Sequence, residues 1–270
     1  MQNGFGDWAS DTVTHVVLLL ADDFDRSAIF RSLARQYTVA CCGSTSTLSE
    51  MINQGVNVIV YEPGLGLCDN AVILDEIGRC GARVILRTRL TVAAIEEVVT
   101  IAHRLPHAGV LLRAQNVRDE AMLPIDLLHE PDCGPAGLVL DRVAPALPAN
   151  ALLFVTAAIA LGKVRSGLPT YAAACGMAVR TCQAAHQRYH LPSPKSLLRW
   201  GQAFWAVWRI GRWNMSCKQA AAAGGFAHAS AMSSALQPII AATPLQLAST
   251  GRIGVVLDRF AEELSRRAVG

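Results

Sequence analysis

After His15 the chain runs Val-Val-Leu-Leu-Leu-Ala with no polar break. A strand that alternates apolar and polar residues has one wet face. A strand with no polar residue has both faces covered, as in the interior of a parallel sheet. His15–Ala21 therefore predicts a buried strand, and Tyr37–Cys42, Val56–Tyr61, Arg83–Thr88 and Ala108–Arg113 predict four more. Between them lie segments with helical spacing. Phe24–Gln36 places Ile29, Phe30 and Leu33 on one side, and Thr47–Asn53 turns Leu48, Met51 and Ile52 inward. Ala71–Cys80 and Val92–Arg104 follow the same rule, and Pro63-Gly64 ends the third strand. Strands alternating with helices predict an α/β N-terminal domain, a doubly wound five-stranded parallel sheet. It is expected over 12–129, with Asn116–His129 adding one more helix.

Pro131, Pro135, Pro145 and Pro148, with Gly134 and Gly137, then interrupt every periodicity. Residues 130–150 are read as a linker. Beyond it the chain is Ala-rich, with helical spacing cut at Gly167-Leu168-Pro169, Cys175-Gly176, Leu191-Pro192, Gly211, Gly224-Gly225 and Thr243-Pro244. About seven short helices are expected over 151–270, the last across Val255–Arg267, as an all-α domain. Charge divides in the same place. Residues 1–149 carry a formal charge of −7 and residues 150–270 one of +10, although the whole chain is only +3. An acidic half joined to a basic half suggests that one part meets phosphates and the other does not.

The eight cysteines include no Cys-x-x-Cys pair and no histidines at zinc-finger spacing, which reads as a reduced protein with buried thiols. The polar, acidic N-terminus is unlike a secretory signal. The longest apolar run, near Ala151–Leu161, is shorter than the roughly 20 residues a bilayer span needs. A soluble cytoplasmic protein with no membrane contact is expected.

The second half contains one pattern twice: helix, glycine break, helix, then Ser-Pro or Thr-Pro. The first copy is Tyr171–Lys195, breaking at Gly176-Met177. Its second helix carries Arg180, Thr181, Gln183, His186, Gln187 and Arg188. The second copy is Ser216–Leu247. There small alanines allow close helix packing, Gly225 allows a positive φ, Phe226 fills the core, and His228, Ser230 and Ser233 lie in the following helix. Each copy predicts a helix-turn-helix unit, whose second helix enters a DNA major groove. Ser196–Trp213 between them predicts one long helix that holds the two at constant separation. Its tryptophans Trp200, Trp205 and Trp208, with Trp213, are read as core rather than as a base-stacking platform.

The arrangement resembles the AraC family over residues 165–248. GMAVRTCQ, SPKSLL, AAAAGGF and TPLQL match four of that family's motifs in order and spacing. The resemblance implies a DNA-binding transcription regulator. Arg180 or Arg188 would pair with guanine edges or phosphates, and Gln183 or Gln187 would read adenine. Thr181, Lys195, His228, Ser230 and Ser233 complete the expected contacts. Three departures stand out. Ala227–Gln237 has no basic residue, Leu191 stands where the family usually has glycine, and His186 stands where it packs an aromatic. Pro238 is expected to cap or kink the end of the second recognition helix.

The first half, over residues 14–125, resembles a response-regulator receiver domain. In that family two acidic residues follow the first strand, and an Asp that accepts a phosphoryl group ends the third. A Ser or Thr ends the fourth strand and a Lys the fifth, and the carboxylates hold Mg²⁺. Asp22 and Asp23 match the acidic pair and Thr88 the hydroxyl. Glu62 stands at the acceptor position and Arg113 at the lysine position. The resemblance with these two changes implies a receiver-like domain without Asp phosphorylation, in which Glu62 imitates the charged state and Arg113 pairs with it. On residue chemistry alone, Asp22-Asp23 reads equally as an acidic helix start and Glu62 as a loop residue.

No phosphate-binding glycine loop, Gly-x-Ser-x-Gly or His-Glu-x-x-His is present, and His15, His103, His107 and His129 are scattered. No enzyme, cofactor or metal is expected. The expected partners are double-stranded DNA through the second half, and a second copy or another protein through the first. The competing expectation is a degenerate regulator that docks to a protein and does not bind DNA.

Overall fold

A computed structural model describes residues 15–113, 133–249 and 253–269. The expected helix at Asn116–His129 lies outside them. Five strands form one parallel sheet in the order β2-β1-β3-β4-β5: β1 His15–Leu19, β2 Thr38–Cys41, β3 Val58–Tyr61, β4 Arg83–Thr88 and β5 Gly109–Leu112. The connecting helices are α1 Asp23–Leu33, α2 Thr45–Ile52, α3 Ala71–Cys80 and α4 Val92–Arg104. Asp22, Ser44, Asn70 and Thr91 each accept a backbone N–H at a helix start. These short polar side chains satisfy donors that the first turn leaves without partners.

Side chains of β1, β3, β4 and β5 alternate between the two faces of the sheet. Val16, Leu18, Leu20, Val58, Val60, Ile85 and Leu111 pack with Ile29 and Leu33 of α1. Val17, Leu19, Ile59, Tyr61, Val84 and Leu86 belong to the core on the other face, with α2, α3 and α4. Phe30, expected inward, is 37% exposed, and Asp25 takes the core-facing position one turn before Ile29.

The stretch expected to lack regular structure contains a helix, α5 Ala136–Val143, and a 3₁₀ turn, Ala144–Ala146. Its glycines serve close approach rather than flexibility. A Cβ on Gly137 would lie 2.5 Å from the Pro106 carbonyl oxygen, and one on Gly134 would overlap the Trp205 ring. Helix α5 packs on α4 and on α6 Ala149–Gly162, and the apolar core runs without interruption from the sheet into the helical half. Asp141 of α5 meets His103 of α4 at 2.6 Å.

The remaining helices are α7 Leu168–Ala174, α8 Val179–Arg188, α9 Pro194–Gly211, α10 Cys217–Ala223, α11 Ala229–Ile240, α12 Pro244–Ser249 and α13 Ile253–Val269. The described residues thus hold eight helices from residue 149 onward, against about seven expected. The Ser-Pro and Thr-Pro dipeptides are helix starts. Ser193 accepts the Ser196 N–H at 3.3 Å ahead of Pro194, and Thr243 accepts the Gln246 N–H at 3.2 Å ahead of Pro244. Helix α11 runs through Pro238 to Ile240, so that proline neither caps nor ends it.

Helix α9 is the axis of the helical half. Trp200, Phe204, Trp205 and Trp208 are buried along it, and the Trp205 indole N–H donates to the Ile159 carbonyl at 2.8 Å. It crosses α6 with backbone against backbone. A Cβ on Gly162 would lie 2.7 Å from the Gly201 Cα, and a Cβ on Gly201 would overlap the Ala158 carbonyl oxygen. No helix among the described residues is long and apolar enough to cross a membrane.

Candidate functional site

Where the strands end, the rows on the α1 face of the sheet change from apolar to charged. The row 16-18-20 leads to Asp22, the row 58-60 to Glu62, Ile85 to Arg87, and Leu111 to Arg113. Asp25 of α1 closes the group. Arg87 lies 2.8 Å from Asp25 and 3.4 Å from Glu62, and its side chain has no solvent exposure. Arg113 pairs with Asp25 and lies 3.3 Å from Glu62 and 3.5 Å from Asp22. Glu62 Oε2 also accepts the Ala21 N–H at 3.2 Å. N–H groups of Asp25 and Phe24 donate to Asp22, and these bonds hold its carboxyl below the usual carboxylate range. Three carboxylates and two guanidiniums thus sit at the carboxyl edge of the sheet, where open α/β sheets place their sites.

Of the sequence-predicted residues, Asp22, Glu62 and Arg113 come together, and Asp23 and Thr88 do not join them. Asp23 is 84% exposed and pairs with Arg26. Thr88 is one residue past Arg87, so strand alternation turns it to the opposite face; its hydroxyl donates to the Arg89 carbonyl at 2.7 Å. Asp25 and Arg87 were not anticipated. An arginine inside a run as apolar as RVILRT was the available signal, with Asp25 four and eight residues before the buried Ile29 and Leu33.

The Mg²⁺ that a receiver would use does not fit these residues. A hard cation needs several free oxygens. Here the carboxylates of Asp22, Asp25 and Glu62 face Arg87 and Arg113, and Asp23 points away. Among the described residues no group of three His, Cys, Asp or Glu side chains is disposed to hold a metal ion.

Behind the cluster, Tyr61 and Glu97 fix the loop after β3. The Tyr61 hydroxyl donates to Glu97 and accepts the Leu67 N–H at 3.1 Å, and the Gly64 N–H donates to the other Glu97 oxygen. Burial and the Glu97 carboxylate raise the Tyr61 phenol well above its ordinary value. The loop bearing Glu62 is thereby tied to α4, the helix that packs on α5 and α6.

The second region is the exposed surface of the helical half. Arg180, Thr181, Gln183, Gln187 and Arg188 are all exposed on α8, and Lys195 is exposed on the first turn of α9. The α7–α8 turn uses Gly176 at φ +69°, and the α10–α11 turn uses Gly225 at φ +74°, a region open to glycine at little cost. After α8 the left-handed residue is His190, at φ +52°, and Leu191 is buried. On α11, Ser230 is exposed and Ser233 half-buried. His228 is occupied as the helix cap, accepting the Ala231 N–H at 3.0 Å on Nδ1.

His186 does the work of an aromatic beneath α8. Its ring lies 4.9 Å from Phe154 and 5.7 Å from Tyr171, centroid to centroid. Nδ1–H donates to the Pro192 carbonyl at 2.5 Å, and Nε2 lies 3.0 Å from the Tyr171 hydroxyl. Burial depresses its basicity, opposed by the bond to Pro192. Cys175 and Cys182 lie in the same interior, and burial pushes the Cys175 thiol up to about 12. Such thiols are packing groups rather than nucleophiles.

Charge across this half has one sign over a long span. No Asp or Glu occurs between Asp141 and Asp258, whereas residues 150–249 hold nine Lys and Arg. Seven of these are exposed: Arg165, Arg180, Arg188, Lys195, Arg199, Arg212 and Lys218. Together the two regions define a parallel α/β unit with a closed ionic cluster, continuous with an all-helical unit whose exposed charge over that span is positive. No protein-family model matches the chain, and no curated protein matches it.

Proposed function

We propose that the helical half binds double-stranded DNA as an AraC-type pair of helix-turn-helix units. The first half is then a receiver-like regulatory domain that works without Asp phosphorylation. The observation that carries this reading is the set of seven exposed cations in a span with no carboxylate, five of them between α8 and the end of α9 or just beyond. Polar exposed residues on α8 supply donors and acceptors for base edges, and α9, roughly 27 Å long at 1.5 Å per residue, separates α8 from α11. Neither α8 nor α11 is covered by the sheet domain among the described residues. The chain is a regulator on this reading, with its sheet domain available to a second copy or a partner protein.

Duplex DNA selected from a random pool provides the test. Affinity of the full chain should fall steeply between about 50 and 200 mM salt, because each phosphate contact contributes roughly −0.9 to the slope of log K against log salt. Arg180→Ala should weaken binding to the selected sequence by about 5- to 150-fold, the effect of losing about 1–3 kcal/mol of base or phosphate contact. Unchanged affinity in that variant removes α8 from the interface. A protein-docking reading is favoured by one observation, the absence of any Lys or Arg on α11. It predicts no duplex binding even at low salt.

The ionic cluster supports the second part of the proposal. Arg113 already holds Glu62, the residue at the acceptor position, and Arg87 and Arg113 engage the carboxylates that would otherwise recruit a cation. Incubation with Mg²⁺ and acetyl phosphate should leave the protein unlabelled on an intact-mass spectrum. A hydroxylamine-sensitive phosphoryl adduct on the sheet domain, the mark of an acyl phosphate, would contradict it.

A further inference from the structure

Helix α11 presents Ser230, Ser234 and Gln237 to solvent but no charge, and Lys218 on α10 is the one Lys or Arg within residues 216–240, so the second helix pair has fewer cations for phosphates than α8 and the start of α9. A further cation comes from elsewhere in the chain. The α6–α7 connection, Lys163–Gly167, lies against the α10–α11 turn. The Arg165 N–H donates to the Gly224 carbonyl at 3.0 Å. An added Cβ on Gly225 would be 3.3 Å from Arg165 Cβ and 3.4 Å from its nitrogen. Gly225 thus takes up a positive φ and leaves close room for this segment.

The segment is held on both sides of Arg165. Arg209 donates to the Lys163 carbonyl at 2.7 Å, and the Ser166 hydroxyl donates to the carbonyls of Val164 at 3.1 Å and Leu161 at 3.2 Å. The Arg165 side chain itself is exposed, and no hydrogen bond or ion pair engages its guanidinium among the described residues. An anchored backbone that presents a solvent-facing guanidinium beside a turn leading into a recognition helix is suited to a phosphate, which positions a duplex without reading its sequence.

Resting on the DNA-binding reading above, we propose that Arg165 is a phosphate contact of the second helix pair beside Lys218, contributed by a segment some sixty residues away in the chain. The test uses the full chain and the duplex selected for it. In Arg165→Gln, affinity should fall several-fold and equally on selected and unrelated duplexes, and the slope of log K against log salt should become shallower by about 1. Arg165→Lys should restore the slope, since a phosphate accepts either cation. Both variants keep the backbone bond to Gly224, so their thermal unfolding should match the parent protein. A parent-like slope in Arg165→Gln overturns the inference while leaving the DNA reading standing. A loss confined to the selected sequence overturns it too, because it assigns Arg165 to a base. Failure of the unaltered protein to bind any duplex at low salt ends both.

Discussion

Replacing Arg87 with Met should destabilise the protein by about 3–5 kcal/mol, the cost of removing one partner from a buried ionic group. The side chain fits, since Met follows the same unbranched course through the α1 face of the sheet. The loss is electrostatic. Asp25, 3% exposed, and Glu62 would share the single remaining guanidinium of Arg113. Combining Arg87→Met with Asp25→Leu should recover a large part of that cost, because removing both partners leaves no extra charge without compensation. A urea-unfolding double-mutant cycle measures the coupling, expected at about 1.5 kcal/mol or more, within the range for members of one network. Strictly additive single effects would show that Arg87 is held by packing alone. The result also bears on function. If the cluster is a permanent ion-paired plug, and the proposed DNA binding holds, Arg87→Met should alter stability far more than DNA affinity.

Gly201→Ala should be equally damaging for an unrelated reason. In an exposed helix, alanine is favoured over glycine by about 1 kcal/mol. At Gly201 the new Cβ would overlap the Ala158 carbonyl oxygen and lie 2.8 Å from that residue's carbonyl carbon. The neighbour is backbone of α6, which cannot rotate away as a side chain would, so α9 and α6 must separate along a crossing lined by Ala151–Ile159 and Leu197–Ile210. A loss of about 3 kcal/mol is expected, at the upper end for overpacking. For a chain of this size that is a fall in Tm of roughly 6–12 °C. The control has the opposite sign. Gly78 is exposed within α3, where an added Cβ meets only Leu105 at 3.5 Å, and Gly78→Ala should be neutral or slightly stabilising. Two glycines of one type thus separate into those that permit contact and those that merely tolerate substitution. Calorimetry on both variants decides the matter, and a parent-like Tm for Gly201→Ala would mean that the helices cross farther apart than described.

The same ambiguity explains where reading the chain residue by residue succeeded and where it failed. Unbroken apolar runs have one stable outcome, burial on both faces, and those at Val16–Leu19 and Val58–Tyr61 became the buried strands β1 and β3, whereas Thr38–Cys41 forms the exposed to half-buried edge strand β2. Ser193-Pro194 and Thr243-Pro244 act through local geometry, and each stands at the start of a helix. Glycine and proline do not carry a single meaning. Gly134 and Gly137 resembled a linker, yet they allow Trp205 and the Pro106 carbonyl to approach, and Pro135 precedes a helix rather than preventing one. Pro238 likewise sits inside α11.

The candidate site divides along the same line. The receiver resemblance grouped Asp22, Glu62 and Arg113 but placed Asp23 and Thr88 with them; the pleat turns Thr88 to the opposite face from Arg87, a separation that the expectation did not use. Asp25 and Arg87 required knowledge of which helix covers that face. Local periodicity encodes elements, faces and helix starts, since these depend on neighbours within a turn or a pleat. Which distant surfaces meet is another matter: α5 wedged against α4, α9 lying flat on α6, Arg165 seated at Gly224. Those contacts join residues tens of positions apart, and their stability comes from shape fit and desolvated charge that no stretch of chain contains until the whole has folded.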